Sequence, residues 1–235
     1  MKILITSGGT LVPIDPVRNI RNSSTGRFGS MIASAALEAG AEVIYLAAGD
    51  SQSPFSLTLD YHLNADFENQ LARLKQLDQF AKQFHGHYHE YRYHSFNEYQ
   101  ALLKELTREQ QPEIVILAAA VSDYIVSDYA NEKIRSSEQL TIQLKPAPKL
   151  IHSIKKWLPE TFLVGFKLLV DASDAELCEA AMKSIRVNNA DLIVANDLSS
   201  IRQGKHEILL VEKTGIFQKY TANLANAVIE RSLQR

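Results

Sequence analysis

Short apolar, β-branched runs recur along this chain, with helix-patterned stretches between them. This alternation constrains the fold more than any other feature. MKILIT reads as a first strand, AEVIYLAAG as a second, and residues 87–94 as a third. EIVILAAAV, FLVGF and ADLIVAN follow as buried strands. Between them, residues 25–39, 64–84, 97–109, 148–158 and 173–187 carry helical spacing, and 221–233 closes the chain as a helix. EILLVEK and IFQKYT form a hairpin around Thr214-Gly215. Strands and helices in this order predict an α/β fold: a doubly wound, mostly parallel Rossmann-like sheet flanked by helices, with an antiparallel C-terminal extension. No repeat, low-complexity tract or linker divides the sequence, so residues 1–235 read as one domain. Residues 125–145 leave a buried strand through charged sequence, and Leu140 to Leu144 alternates like a short antiparallel strand. This excursion is expected to act as a mobile flap.

A chain of 235 residues can bury a full core, and a formal net charge of −2 argues against nucleic acid or an anionic membrane as a general partner. One cysteine, Cys178, excludes an internal disulfide and a four-cysteine zinc site; its helical setting suggests packing. No run approaches the roughly 20 apolar residues of a membrane span, and the N-terminal run is too short for a signal peptide. A cytoplasmic location is expected.

In an open α/β sheet, ligands bind beyond the carboxyl ends of the strands. Four such ends carry small or polar residues: Ser7 to Thr10, Ala118 to Asp123, Gly165 to Lys167, and Ala195 to Asp197. Parallel strands would bring all four to one rim. The first connection, TSGGTLVPIDPVRNIRNSSTGRFG, far exceeds the about 2–6 residues of an ordinary β-to-α turn. Gly8 and Gly9 let backbone amides approach an anion, and Ser24, Thr25, Gly26 and Gly29 stand where helix N–H groups favour phosphate. The same residues also suit a turn followed by a helix cap. Neither glycine cluster matches the Walker A or dinucleotide pattern. Asp123 ends a small-residue strand and can accept from a ribose or an amide, or cap a turn. Lys133 can swing over a bound phosphate, or lie in a solvated charged loop. His85, His87, His89 and His94 crowd one run, and His87 and His89 would share a strand face; without acidic or cysteine companions, no metal site is expected.

Three motifs together resemble the phosphopantothenoylcysteine synthetase family. The first is residues 2–29, with its T-S-G-G-T, D-P-V-R and N-S-S-T-G-R-F-G elements. The second is LAAAVSDY at 117–124, with Lys133-Ile134 beginning ten residues after Asp123. The third is VGFKLLVDA at 164–172 with VANDL at 194–198. The resemblance spans nearly the whole chain in the family's order. It implies a ligase of coenzyme A biosynthesis, phosphopantothenate–cysteine ligase. In such an enzyme 4′-phosphopantothenate is activated by CTP or ATP to an acyl-nucleotidylate and then coupled to L-cysteine. It implies catalytic roles for Asn22 and Lys133. It assigns nucleotide contacts to Gly8, Gly9, Thr10, Ser24, Gly26, Gly29, Asp123, Phe166 and Asn196. Asn22, Ala119, Ala120, Asp123 and Lys133 would hold phosphopantothenate. Mg²⁺ is expected to accompany the nucleotide, and a homodimer is expected with residues 138–145 in its interface.

Departures from the family pattern qualify these expectations. No flavin-dependent decarboxylase half is found in these residues, so FMN is not expected. Ser184 and Asn188 stand where many bacterial members carry CTP-binding lysines, with Lys183 and Arg186 the nearest cations. GFKLLVD instead resembles the SFKLETD of eukaryotic members, which favour ATP. Residues 52–95 carry no recognised motif. Two other readings compete: an NAD(P)-binding oxidoreductase, which would share the sheet but lacks G-x-G-x-x-G here, and a catalytically inactive nucleotide-binding regulatory protein.

Overall fold

β1 (Lys2–Ser7) is buried along nearly its whole length, because its side chains feed two cores at once. Ile3 and Ile5 point to one face of the sheet and Leu4 to the other, as strand geometry requires. Strands buried on both faces read as unbroken apolar runs rather than alternating ones. The computed structural model describes residues 1–57, 66–135 and 139–234.

After β1 come a small hairpin, β2 (Leu11–Pro13) and β3 (Asn19–Arg21), then α1 (Arg27–Glu38) and β4 (Glu42–Ala48). α2 (Phe67–Phe84), a single 3₁₀ turn at His85–His87, β5 (Tyr88–Tyr93), α3 (Phe96–Gln110) and β6 (Ile114–Leu117) follow. β7 (Tyr124–Val126) and β8 (Leu144–Pro146) pair outside the main sheet. The chain continues through α4 (Ile151–Trp157), β9 (Phe162–Leu169), α5 (Asp174–Asn188), β10 (Leu192–Asp197) and α6 (Leu198–Arg202). β11 (Ile208–Glu212), β12 (Phe217–Tyr220) and α7 (Leu224–Leu233) complete it.

The main sheet has eight strands in the order β12-β11-β10-β9-β6-β1-β4-β5. β5 through β10 along that order pair in parallel, while β11 and β12 are antiparallel. The parallel strands, counted along the chain, therefore stand in the doubly wound order 3-2-1-4-5-6. The progression of strand order reverses between β1 and β6, and a ligand crevice belongs at that switch point. α1 and α7 cover one face, with Ile32, Leu37, Leu224 and Val228 against Ile3, Ile5 and Ile116. α3, α4 and α5 cover the other, with Leu103, Ile154 and Ile185 against Leu4, Val115 and Ile193. Each such fully buried aliphatic side chain contributes about 1.5–3 kcal/mol relative to exposure. Half-buried Cys178 packs against this second core, as its helical setting suggests.

Several boundaries differ from expectation, each for a local reason. α1 starts at Arg27, because Gly26 holds a left-handed φ of 74° that ends the loop there. The flap strand lies at Leu144–Pro146 rather than 140–144, and the Ala147 N–H donating to the Asp123 carbonyl at 2.9 Å sets its register. α4 begins three residues after Pro148, and α7 at Leu224, after Asn223 in the left-handed region. Residues 64–65 of the expected second helix lie outside the described residues, as do 136–138 of the flap. His87 belongs to the 3₁₀ turn, so it shares no strand face with His89. Among the described residues no three His, Cys, Asp or Glu side chains are grouped to hold a metal. Gly215, at φ 85°, makes the expected terminal hairpin turn. No helix among the described residues is long and apolar enough to cross a membrane.

Candidate functional site

The rim expected from the sequence is present: β1, β6, β9 and β10 are consecutive neighbours, so their carboxyl ends lie side by side. At the switch point, backbone and side chains join the loop after β1 to the loop after β6. The Ala120 N–H donates to the Gly8 carbonyl at 2.7 Å, and the Thr10 N–H returns to the Ala120 carbonyl at 3.3 Å. The Ala119 N–H reaches the Thr6 hydroxyl at 3.3 Å, and the Ser122 N–H reaches the Thr10 hydroxyl at 2.9 Å. The Asn22 amide donates to the Ala120 carbonyl at 3.3 Å. Gly8, Gly9, Thr10, Asn22, Ala119, Ala120 and Asp123 are thus brought to one place, although 98 residues separate Asn22 from Ala120.

Buried tyrosines brace this junction from below. Tyr93 donates to the Ser7 carbonyl at 2.8 Å, and Tyr99 to the Thr6 hydroxyl at 3.3 Å. Burial pushes the Tyr99 phenol up to about 12, so it stays a neutral donor. Thr10 is itself fully buried, and its hydroxyl is committed to Ser122. Gly9 fits because a Cβ there would stand 2.5 Å from the Asn22 carbonyl oxygen. The loop glycines therefore serve close packing of the two loops as well as access for backbone amides.

The start of α1 forms the second part. Ser7 donates to the Gly26 carbonyl at 3.0 Å, and Gly29 packs so closely on Ser7 that a Cβ would meet its hydroxyl at 2.4 Å. Gly26 at the N-cap offers no side chain and no acidic residue stands in the first turn; of the first amides, that of Arg27 reaches the Thr25 hydroxyl at 3.4 Å, and no negative charge opposes the N-terminal dipole. Of the alternative reading as a helix cap, Ser24 shows only a long contact, accepting from the Gly26 N–H at 3.4 Å. Beside this turn, Phe166 from β9 meets Phe28 edge-on at 6.0 Å, and Phe28 meets His206 at 5.1 Å. Burial, then the nearby Arg27 charge, lowers the His206 pKa, which favours its neutral form. Asn196 is half-buried at the end of β10, and Asp197 beside it is spent on the Ala172 and Ser200 amides.

Asp123 and Lys133 are less enclosed. Asp123 is exposed and ion-paired with Lys149. Lys133 is exposed on the segment after β7. That segment is nonetheless tied down next door. Asp15 accepts from the Ile134 N–H at 3.2 Å, and Arg18 donates to the Ile134 carbonyl at 3.1 Å. Ser184 and Asn188 bond to each other on the last turns of α5, which feed the opposite end of the sheet from the rim.

The sequence reading passed over several residues of this region. Asp15 and Arg18 lie in the D-P-V-R element, where Asp-Pro signals the opening of a turn but no distant partner. Phe28 and His206 gave no signal, since their meeting joins the start of α1 to the segment before β11, far apart in the chain. Arg21, in β3, pairs with Asp50 beside a cavity of about 300 Å³ lined by Gly9, Leu11, Ala48, Gly49, Asp50, Tyr93 and His94. This cavity flanks the first loop on its β4 side.

The chain is similar to curated proteins across most of its length. It is 34% identical over 210 residues to the coenzyme A biosynthesis bifunctional protein CoaBC of Thermococcus kodakarensis, covering 89% of this chain and 44% of that protein. It is 31% identical over 230 residues to the human phosphopantothenate–cysteine ligase, covering 84% of this chain and 72% of that protein. The chain thus spans less than half of the bifunctional relative. Among solved structures, the DNA/pantothenate metabolism flavoprotein of Streptococcus pneumoniae superposes with a TM-score of 0.78 at 29% identity, covering 100% of this chain and 99% of the other. Residues 1–72 and 88–234 match the DNA/pantothenate metabolism flavoprotein C-terminal domain, and the chain belongs to that family.

Proposed function

We propose that this chain is a phosphopantothenate–cysteine ligase. The observation that supports the reading is the convergence of two distant motifs: the first loop with Asn22 meets both the Ala119-Ala120 turn and the segment holding Lys133. Similarity to the human ligase over most of both chains supports it.

In the proposed reaction the carboxylate of 4′-phosphopantothenate attacks the α-phosphorus of CTP or ATP, and pyrophosphate leaves. The amine of L-cysteine then attacks the acyl-nucleotidylate carbonyl, and the nucleoside monophosphate leaves with the bonding electron pair. The substrate supplies the nucleophile, so the protein's task is positioning and electrostatics. The uncapped start of α1, with Ser24, Gly26 and Gly29, suits the triphosphate. Phe166, with Phe28, and Asn196 suit the base and ribose. Gly8, Gly9 and Thr10 would act through their backbone. Ala119, Ala120 and Asp123 would hold phosphopantothenate, Lys133 would offset charge during nucleotidyl transfer, and the Asn22 amide would present the activated carbonyl to cysteine. A Mg²⁺ ion would be held mainly by phosphate oxygens and water, where it neutralises phosphate charge. The β7–β8 arm exposes Tyr124 and Leu144, which supports a homodimer joined there and checked by solution mass.

The test is pyrophosphate release with phosphopantothenate, Mg²⁺ and each nucleoside triphosphate, with and without cysteine. Release that requires phosphopantothenate is expected; none with any nucleotide overturns the reading. Lys133→Gln is expected to slow this release by roughly 10²-fold. Asn22→Asp is expected to keep it while slowing the cysteine step. Equal effects of both variants on both half-reactions would remove the assigned roles.

A further inference from the structure

Asp15 is a carboxylate buried to 2% exposure in a stretch otherwise made of loop and short hairpin. A charge in such a place must be matched, and this one is matched on both oxygens. Oδ1 accepts from the Val17 N–H at 2.8 Å and the Arg18 N–H at 2.7 Å, which closes the Asp15-Pro16 turn. Oδ2 accepts from the Arg18 guanidinium at 2.5 Å and from the Ile134 N–H at 3.2 Å, 119 residues away. The same guanidinium donates to the Ile134 carbonyl at 3.1 Å. Both backbone groups of Ile134 are therefore held by one ion pair, whose carboxylate is buried and whose guanidinium is partly exposed. Four residues earlier the Ala130 N–H donates to the Ile14 carbonyl at 3.1 Å.

The two oxygens of Asp15 thus have separate duties. One shapes its own turn; the other, with Arg18, clasps the flap one residue beyond Lys133. Burial of the carboxyl raises its pKa, but the amides of Val17, Arg18 and Ile134 and the Arg18 guanidinium outweigh that and lower it to about 2. The clasp is therefore ionised at neutral pH.

We propose that Asp15 is a positioning residue which, by clasping Ile134, limits where the adjacent Lys133 can reach. The inference rests on the ligase reading above for the chemistry that Lys133 serves. Lys133 itself is exposed, and its long side chain would otherwise sweep a large volume. Fixing its backbone anchor cuts that search, and small misplacements of such a group can cost about 10²-fold in rate.

Asp15→Asn separates the two duties. Asn can keep its carbonyl oxygen toward the Val17 and Arg18 amides. Its NH₂ then faces two donors where Oδ2 had accepted from both, so the flap contact is lost first. In the full chain, the expected result is a drop of roughly 10- to 100-fold in kcat for phosphopantothenate-dependent pyrophosphate release. The nucleotide KM should change little. Adding Asp15→Asn to Lys133→Gln should cost nothing further, because both act through one amine. Hydrogen exchange of the free protein should show the Ile134 amide exchanging faster in Asp15→Asn, with Val17 and Arg18 unchanged. If Asp15→Asn does not fold, Ile134→Pro deletes the same hydrogen bond from the flap side and carries the test. A wild-type rate, or a further loss on the Lys133→Gln background, overturns the inference. If the wild-type chain releases no pyrophosphate, the ligase reading fails on its own. The exchange of Ile134 then decides whether the clasp exists, and unchanged exchange in Asp15→Asn overturns it.

Discussion

α1 and α5 both follow a parallel strand of the main sheet, yet they begin in opposite ways. α5 opens with a complete capping box: Ser173 accepts from the Glu176 N–H, and Glu176 accepts from the Ser173 N–H. Its first turn also carries Asp174, which adds negative charge at the dipole's positive end. α1 opens on a left-handed glycine that offers no side-chain cap, with only a long contact from the Arg27 N–H to the Thr25 hydroxyl at 3.4 Å and no acid in its first turn. A helix with a purely structural duty satisfies its own terminus. A terminus that must receive an anion cannot be filled by the protein first, and α1 is the one that follows β1, at the switch point of the sheet.

The comparison can be broken at three points. The largest effect belongs to Gly29→Ala. A methyl group there meets the Ser7 hydroxyl at 2.4 Å and its Cβ at 2.7 Å, both within a tightly packed junction. A loss of roughly 1–3 kcal/mol is expected from overpacking, against a helix-propensity gain of under about 1 kcal/mol. Thermal melting reads the difference; an unchanged midpoint would show that α1 can lift away from β1. Ser173→Ala should cost about 1 kcal/mol through the lost cap while leaving nucleotide binding alone. The Ser173 amide and hydroxyl hold the Glu176 carboxyl below its usual 4.5, so this support is present above that pH and fades as pH falls through the lowered value. Acid titration of Glu176→Gln beside wild type checks the sign, since the variant should lack that part of the acid loss. The smallest effect is Ser24→Asp, which places a carboxylate where α1 is open. Nucleotide Kd should rise about 2–5-fold at low salt and recover as salt is added. Tighter binding would mean that the triphosphate does not use this terminus.

The order of strands and helices was legible because periodicity is local. Apolar runs such as Ile3-Leu4-Ile5 and Ile114-Val115-Ile116 must be buried wherever they fall, and the helices between them leave few topologies. The four strand ends of the rim were legible for the same reason, since parallel strands share one carboxyl edge. The β2–β3 hairpin inside the first loop was not, because its three-residue strands are too short to show a period. The Phe28–Phe166–His206 contacts were not, because they join α1, β9 and the segment before β11.

Asp15 shows where local reading stops. Its Asp-Pro context announces a turn, and half of its hydrogen bonds belong to that turn. Of the other two, one takes the Arg18 guanidinium and one reaches across 119 residues to Ile134, and nothing near either residue indicates that distant partner. By itself the sequence determined the layered α/β architecture, the rim and the residues able to serve an anion there, since these follow from side-chain period and turn chemistry. Only the tertiary structure decided which of those groups meet, which are spent on one another, and which are left open. Hydrogen bonds and packing between distant segments act over a few ångströms in space and carry no signature in sequence spacing.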